Sequence, residues 1–258
     1  MRELRTALTA IQFYTVLPVP AFEFRPEYFQ RMLRYSGAVG ILIGGAGALV
    51  FLAAHQIYPI AIAVVCSLIA TVLLTGCLHE DGFVDFCEGV YTRGALDERL
   101  RVMRESRVGA VGASAAIIMI LLRVAAIAAI PAVWIPAAIV VGHSLSRFAS
   151  GAFAYSLEYA RESGGEAPAA AGVKPIITGM PFSDVLWGAI IATASFAFFA
   201  DAIFLWILPI VAIAHGLFGI LLRRVFGGYT GDCLGAAQQI FEVAVYLCVI
   251  AIAQLRAF

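Results

Sequence analysis

The run His79-Glu80-Asp81-Gly82-Phe83-Val84-Asp85-Phe86-Cys87-Glu88-Gly89 sets four carboxylates and a histidine into an otherwise apolar chain. Read as a helix, it places Asp81, Asp85 and Glu88 at i, i+4 and i+7, on one face. Carboxylates held that close repel by roughly 4 kcal/mol per pair at 4 Å and an effective dielectric near 20. A divalent cation converts the repulsion into attraction. The donors are hard oxygens, which suit Mg²⁺ or Mn²⁺ better than Zn²⁺, even with Cys87 beside them. Asp81 to Asp85 spans about 6 Å along a helix axis and Asp81 to Glu88 about 10 Å, a footprint for one or two cations bridging a diphosphate. Gly82 and Gly89 permit close approach of a ligand or a neighbouring helix. The competing account is a solvated acidic helix end. It is the weaker one, because acids at or inside a membrane are costly and tend to be functional.

Two further segments carry polar chemistry. In Arg104-Glu105-Ser106-Arg107-Val108-Gly109, two arginines at i and i+3 share a helix face, and Ser106 and Gly109 complete a set suited to phosphate. The plainer account is ordinary positive charge at a helix end. In Gly227-Gly228-Tyr229-Thr230-Gly231-Asp232-Cys233-Leu234-Gly235, a glycine-rich turn offers backbone N–H groups to an anion, and Asp232 adds a carboxylate for metal. It lacks the Gly-Lys-[Ser/Thr] ending of a Walker A loop, and a tight interhelical turn would explain it equally well.

These groups must be positioned by a membrane protein. The 258 residues are 62% hydrophobic and 13% charged, and mean hydropathy is +0.94. The expected class is an all-α, polytopic membrane helix bundle forming a single domain over 1–258. Net charge is zero, which gives no reason to expect nucleic acid. Five cysteines without a CxxC pair point to free thiols. Residues 2–16 read as an amphipathic interfacial helix with Arg2 and Arg5 facing out, not as a cleavable signal.

Apolar stretches of membrane length fall near 37–55, 59–78, 109–130, 132–155, 185–200, 202–222 and 236–255, giving six to seven spans, the fifth and sixth forming a hairpin around Asp201. Arg2, Arg5, Arg25, Arg31 and Arg34 precede the first stretch. Arg93, Arg99, Arg101, Arg104 and Arg107 follow the second, Arg161 and Lys174 the fourth, and Arg223 and Arg224 the sixth. The alternate loops near 56–58, 131 and 201 carry no Lys or Arg, and only Arg256 falls on that side. The chemically rich segments therefore belong together on the cytoplasmic face, which favours an enzyme over a transporter.

Arg123, Arg147 and Glu242 sit inside apolar stretches, and each needs a partner or a wet cavity. Arg147, preceded by His143, Ser144 and Ser146, belongs to a polar helix stripe and is assigned to the site. Arg123 reads as a packing or snorkelling residue. Glu242 is placed to pair with either arginine or to line the cavity. His143 and His215 read as satisfied interior histidines.

Taken in order, the three segments resemble the cobalamin synthase family, the adenosylcobinamide-GDP ribazoletransferases. The family pattern is His-x-Asp-Gly-x-x-Asp-x-x-Asp-Gly, then Arg-Asp-Ser-Arg-x-Gly, then Gly-Gly-x-Thr-Gly-Asp-x-Leu-Gly-Ala. Leu17-Pro18-Val19-Pro20, Ser146-Arg147, Tyr159-Ala160-Arg161-Glu162 and Glu242 also match in order, so the resemblance covers essentially the whole chain. Glu88 and Glu105 stand where the family has Asp, and Val16 where it has Arg.

The resemblance implies a Mg²⁺-dependent transferase, with Mn²⁺ as a substitute. A hydroxyl of α-ribazole, or of its 5′-phosphate, attacks the cobinamide-side phosphorus of adenosylcobinamide-GDP, and GMP leaves. Asp81, Asp85, Glu88 and Asp232 are then expected to hold metal. His79, Asp81 and Glu88 are expected to be catalytic, with His79 or Glu88 as the base. Arg104, Ser106, Arg107, Arg147, Gly227, Gly228 and Thr230 are expected to contact substrate. The expected setting is the cytoplasmic membrane of a bacterium or archaeon, with the lipid bilayer as surroundings. The reading also admits a homo-oligomer and association with other enzymes of the pathway. Rival readings are a CDP-alcohol-type phosphotransferase with a lipid acceptor, a divalent-cation transporter and a non-catalytic scaffold.

Overall fold

The computed structural model describes residues 1–23, 25–160 and 180–256. Arg161, Glu162 and Lys174 lie outside them. The helices are α1 (Arg2–Tyr14), α2 (Pro26–Arg31), α3 (Ser36–His55), α4 (Ile60–Thr75), α5 (Leu78–Tyr91), α6 (Leu96–Glu105), α7 (Ala110–Ala129), α8 (Ile135–Gly151), α9 (Phe153–Ser156), α10 (Phe182–Ala194), α11 (Ile207–Phe226) and α12 (Gly231–Arg256). Short 3₁₀ segments cover Met32–Tyr35, Ser195–Phe199 and Ala202–Trp206. Among the described residues no strand forms, and an isolated bridge joins Tyr159 to Tyr229.

The chain is an all-α membrane bundle. Ile117, Ile118 and Leu121 of α7 and Ile213 and Leu217 of α11 lie exposed on the outside, an apolar surface that lipid covers. The interior is built around α8, which is buried along almost its whole length. Helix α3 lies directly on it through Gly40 and Gly44. A Cβ at Gly40 would stand 2.3 Å from the His143 carbonyl oxygen, and one at Gly44 2.7 Å from Val140 Cα. Small residues at this four-residue spacing bring two backbones into contact without a hydrophobic driving force. Ser144 Oγ adds a hydrogen bond to the Gly37 carbonyl at 3.0 Å.

Among the described residues five helical stretches are long and apolar enough to cross a membrane, and a sixth is obtained if α4 and α5 count together. That is fewer than the seven stretches read from hydropathy, for two reasons. The stretch 59–78 breaks at Gly76 and Cys77, both in the left-handed region, and α5 turns off by 87°. The stretch 132–155 holds α8, whose 17 residues fall one short of the shortest helix counted and still suffice to cross, enclosed by protein instead of lipid. Hydropathy does not distinguish a helix surrounded by protein from one surrounded by lipid.

The hairpin around Asp201 is present. Asp201 accepts a hydrogen bond from the Ile203 amide at 3.0 Å and pairs with Arg256, whose guanidinium also lies 5.8 Å over the Trp134 ring. Helix α1 also forms, but its inner face packs on protein: Thr6, Thr9, Ala10 and Tyr14 are buried, and Arg5 is half-buried and reaches the Tyr28 hydroxyl. Arg31 and Arg34 are more than loop charge. Both bind buried Asp184, Arg31 through two 3.0 Å bonds and Arg34 at 3.2 Å, and Arg34 also meets Glu3 at 3.0 Å. All five cysteines are free.

Candidate active site

Helix α5 leaves the elbow beside Arg123 of α7 and Gln239 of α12, and slants toward the start of α7. Its acidic face is as the spacing predicts. Asp81 is exposed and makes no side-chain hydrogen bond among the described residues. Asp85, one turn on, is buried, and its Oδ2 accepts a bond from Ser106 Oγ at 2.8 Å. Asp81 and Glu88 both lie within Coulombic reach of Asp85. Glu88 is the most committed of the three. Its Oε1 accepts from the amides of Gly109 at 2.9 Å and Gly112 at 2.7 Å, the unpaired N–H groups at the start of α7. The segment 104–109 thus meets the acids through Ser106, held in the left-handed region at the end of α6, and through the first amides of α7.

Each residue of the glycine-rich turn has a local duty. Gly227, at φ 69°, ends α11. Gly228 lies so near the Glu158 carbonyl that a Cβ there would stand 2.2 Å from its oxygen. The Tyr229 amide donates to Glu158 at 3.0 Å, and the Ala160 amide donates to Tyr229 at 2.9 Å. Burial pushes the Tyr229 hydroxyl pKa up to about 12, which keeps it neutral. Thr230 Oγ1 accepts from the Cys233 amide at 3.2 Å, capping α12. Asp232 follows in the first turn of that helix. Here α12 crosses α5 at Gly82 and Gly235: a Cβ on Gly82 would stand 3.1 Å from Asp232 Cα, and one on Gly235 3.2 Å from Gly82 Cα. The backbone of Asp232 therefore lies against the turn of α5 that carries Asp81.

Arg104 and Arg107 stay at the rim. Both are exposed, Arg107 with 85% of its side chain accessible, next to the Ser106 that reaches Asp85. The acids, Ser106 and the start of α12 are thus neighbours, and the two arginines flank Ser106 in the chain, Arg107 meeting Glu105 at 3.7 Å.

His79 and Arg147 are not brought to this face. At about 100° per residue, His79 projects opposite Asp81, Asp85 and Glu88. It is buried and stacked on Tyr14 with 6.0 Å between ring centroids. Arg147 is 1% exposed, and one of its amino groups lies 2.8 Å from His143 Nδ1 and 3.1 Å from the His143 carbonyl. Both belong to a second, interior polar cluster. Its centre is Arg123, which does not snorkel: it bonds Glu80 at 3.0 Å, Gln239 at 2.9 Å and Glu242 at 2.7 Å. Glu242 also accepts from Tyr246 at 2.9 Å, is bonded by Gln238, and lies 3.1 Å from His143. Glu80, Gln238, Gln239, Tyr246 and Tyr14 went unrecognised in the sequence. A signal was present: Gln238, Glu242 and Tyr246 recur at four-residue spacing within an apolar stretch. His215 is a satisfied interior histidine, bonded to the Ala149 carbonyl at 2.9 Å.

Among the described residues no three His, Cys, Asp or Glu side chains close around an ion by themselves. The acidic face nonetheless fits a magnesium-type cation. Such sites use one or two carboxylates, several waters and the substrate's own phosphates, not an all-protein cage. Ser106 occupies Oδ2 of Asp85 and the α7 amides occupy Oε1 of Glu88, and among the described residues Oδ1, Oε2 and both oxygens of Asp81 make no hydrogen bond.

A model of the cobalamin-5-phosphate synthase family matches residues 6–250. The adenosylcobinamide-GDP ribazoletransferase of Shewanella frigidimarina is 35% identical over 98% of this chain and 96% of its own length. Those of Ralstonia nicotianae and Vibrio parahaemolyticus are 36% and 32% identical, covering 93% and 98% of this chain and 93% and 94% of their own. No solved structure matches the chain.

Proposed function

The chain belongs to the cobalamin-5-phosphate synthase family, and from that membership we propose that it carries out the reaction its relatives are named for, joining ribazole to adenosylcobinamide-GDP. It is a membrane transferase. A hydroxyl oxygen of α-ribazole, or of its 5′-phosphate, forms a bond to the cobinamide-side phosphorus. The bond from that phosphorus to the bridging oxygen breaks, GMP carries the bridging oxygen away, and the hydroxyl proton passes to a base. The relatives favour neither a lipid acceptor nor cation transport.

The observation that supports this reading is the gathering of Asp81, Asp85 and Glu88 with Ser106, the first amides of α7 and the start of α12. Asp81 and Asp85 would hold the divalent cation, with Glu88 Oε2 and Asp232 at its sides. When bound, that cation would neutralise pyrophosphate charge. Arg104 and Arg107 would hold phosphate oxygens from the rim, where both are exposed. Of the two expected bases, Glu88 is on the acidic face and His79 is not, so Glu88 is the better base. Ser106 and the α7 amides would keep the acids oriented while substrate enters.

The cytoplasmic membrane, with the site on its inner side, is part of the proposal. Its support is the concentration of Arg in 93–107 and 223–224 and its absence from the loops near 56–58, 131 and 201. The test is purified full-length protein with Mg²⁺, adenosylcobinamide-GDP and α-ribazole, scored for GMP and cobalamin. Joint, Mg²⁺-dependent appearance of both is expected. No GMP from a folded protein under these conditions would overturn the reading.

A further inference from the structure

Neighbouring residues on α5 serve two different environments. Asp81 belongs to the acidic face, whereas Glu80, about 100° around the helix, points into the interior cluster. There Glu80 Oε1 accepts two bonds, from Arg123 of α7 at 3.0 Å and from Gln239 of α12 at 3.0 Å. The far end of α5 is tied to the same helix α7, through Glu88 and the amides of Gly109 and Gly112. A rod fixed at one point can still rotate and tilt. Fixed to one partner at both ends, it keeps both its rotation and its register. Asp81 and Asp85 lie between the two ties.

Arg123 is itself immobile. Its side chain is almost fully buried, and Glu242 holds its second amino group at 2.7 Å. Glu242 is in turn held by Tyr246 and Gln238, and Gln238 bonds Ser146 of α8 at 3.1 Å. The cluster thus joins α5, α7, α8 and α12. Two arginines (Arg123 and Arg147) face two carboxylates (Glu80 and Glu242), so with neutral histidines the charges cancel. An ion pair in an apolar bundle is weak evidence for stability, because apolar replacement is often as stable. Its better attested use is to specify one arrangement among several, and here the arrangement specified is the direction of the acidic face.

We infer that Glu80 and Arg123 are positioning residues for the transferase: they lock the rotation of α5 so that Asp81 and Asp85 present their carboxylates together to a divalent cation. The inference rests on the reaction proposed above, and its test includes a readout independent of turnover. Glu80 borders a crevice lined by the apolar Phe83, Ala116, Met119 and Ile120, and leucine replaces the glutamate with an apolar side chain of similar size. Glu80→Leu therefore removes the tie without leaving a void. Glu80→Gln keeps an acceptor oxygen in place and is the rescue. Tyr246→Phe removes one bond from the same cluster without touching α5 and controls for a general loss of packing.

Each full-length protein is titrated with Mn²⁺ alone, free Mn²⁺ being read by electron paramagnetic resonance, and is then assayed for GMP release. Glu80→Leu is expected to weaken Mn²⁺ binding by about 10–100-fold, the usual cost of losing a residue that orients a metal's ligands. GMP release per folded molecule should fall in proportion. Loss of a counter-charge beside buried Arg123 also lowers the thermal midpoint, in Glu80→Gln as in Glu80→Leu, so the difference in Mn²⁺ binding between those two separates positioning from stability. Glu80→Gln should stay within about threefold of wild type and Tyr246→Phe close to it. Arg123→Lys, which keeps the charge and loses the fork, should fall between. Equal Mn²⁺ binding by wild type and Glu80→Leu, including none by either, overturns the inference, as does an equal loss in Tyr246→Phe. Absent GMP release from wild type would sink the reaction but not the inference, which the Mn²⁺ arm still decides.

Discussion

Two groups of charged residues lie back to back on α5, and they are built by opposite rules. The interior cluster around Arg123 and Glu242 is paired by charge, although Glu80 Oε2, Arg123 Nε and Arg147 Nε are buried without a hydrogen-bond partner among the described residues. Glu242 has no exposure, and Arg123 meets Glu80, Gln239 and Glu242 within 3.0 Å. The acidic face is open: among the described residues Asp81 makes no side-chain hydrogen bond, Asp85 has one from a side chain, and Asp81 and Glu88 both repel Asp85. Fold stability tolerates buried charge only when it is paired. Like charges gathered on one face are costly to the fold and therefore need another reason, which a cationic ligand supplies. Pairing with opposite charge, not the count of acids, separates the structural cluster from the functional one.

This contrast is sharpest in substitutions that remove one carboxylate from each side. Asp85→Asn should lower GMP release by about 10²–10³-fold, as losing a group that holds transition-state charge does elsewhere, while the unfolding midpoint in detergent stays the same. A midpoint that fell with the activity would show the acidic face to be structural. Glu242→Ala should do the reverse. It leaves Arg123 and its neighbours short of a counter-charge and should destabilise the protein by about 3–5 kcal/mol, measured by thermal or denaturant unfolding. A normal midpoint would break the distinction from the other side.

Smaller effects probe the boundary between the two. Gly228→Ala drives a methyl group into the Glu158 carbonyl, and the resulting strain should cost roughly 1–3 kcal/mol on unfolding. Activity should be retained in proportion to folded protein if that glycine serves only the turn. A loss of activity beyond the folded fraction would return the turn to the phosphate site. Ser106→Ala removes one hydrogen bond to Asp85 at an exposed position, worth about 1 kcal/mol, and water can replace it. A several-fold rise in half-saturating Mg²⁺ at an unchanged limiting rate is expected. No change in either parameter would mean that Ser106 does not orient the carboxylate.

Much of this was readable in advance, and the reason is local. A helix fixes which residues share a face from spacing alone, so the alignment of Asp81, Asp85 and Glu88 followed from i, i+4 and i+7. The same arithmetic could have separated His79 from the acids, since two residues of helix carry a side chain roughly to the opposite face. Glu242 was expected to pair with an arginine, and it does. Arg123 was misread because a lone arginine in an apolar run looks the same whether it reaches for water or for a buried acid. Gly227, Gly228 and Thr230 read as an anion cradle, and the fold adds local duties that spacing does not show: ending one helix, meeting Glu158 and starting the next.

By itself, the sequence determined the membrane class, the three polar segments and the composition of the acidic face. Each depends on hydropathy or on spacing within one helix, and such information needs no partner. Tertiary structure alone decided that Glu80 faces inward while Asp81 faces outward to the site, that Glu88 Oε1 is taken by α7, and that α8 is a core helix and α4 ends in an elbow. These outcomes depend on which surfaces meet across long sequence separations. A buried charge is stable only where those meetings supply its partner.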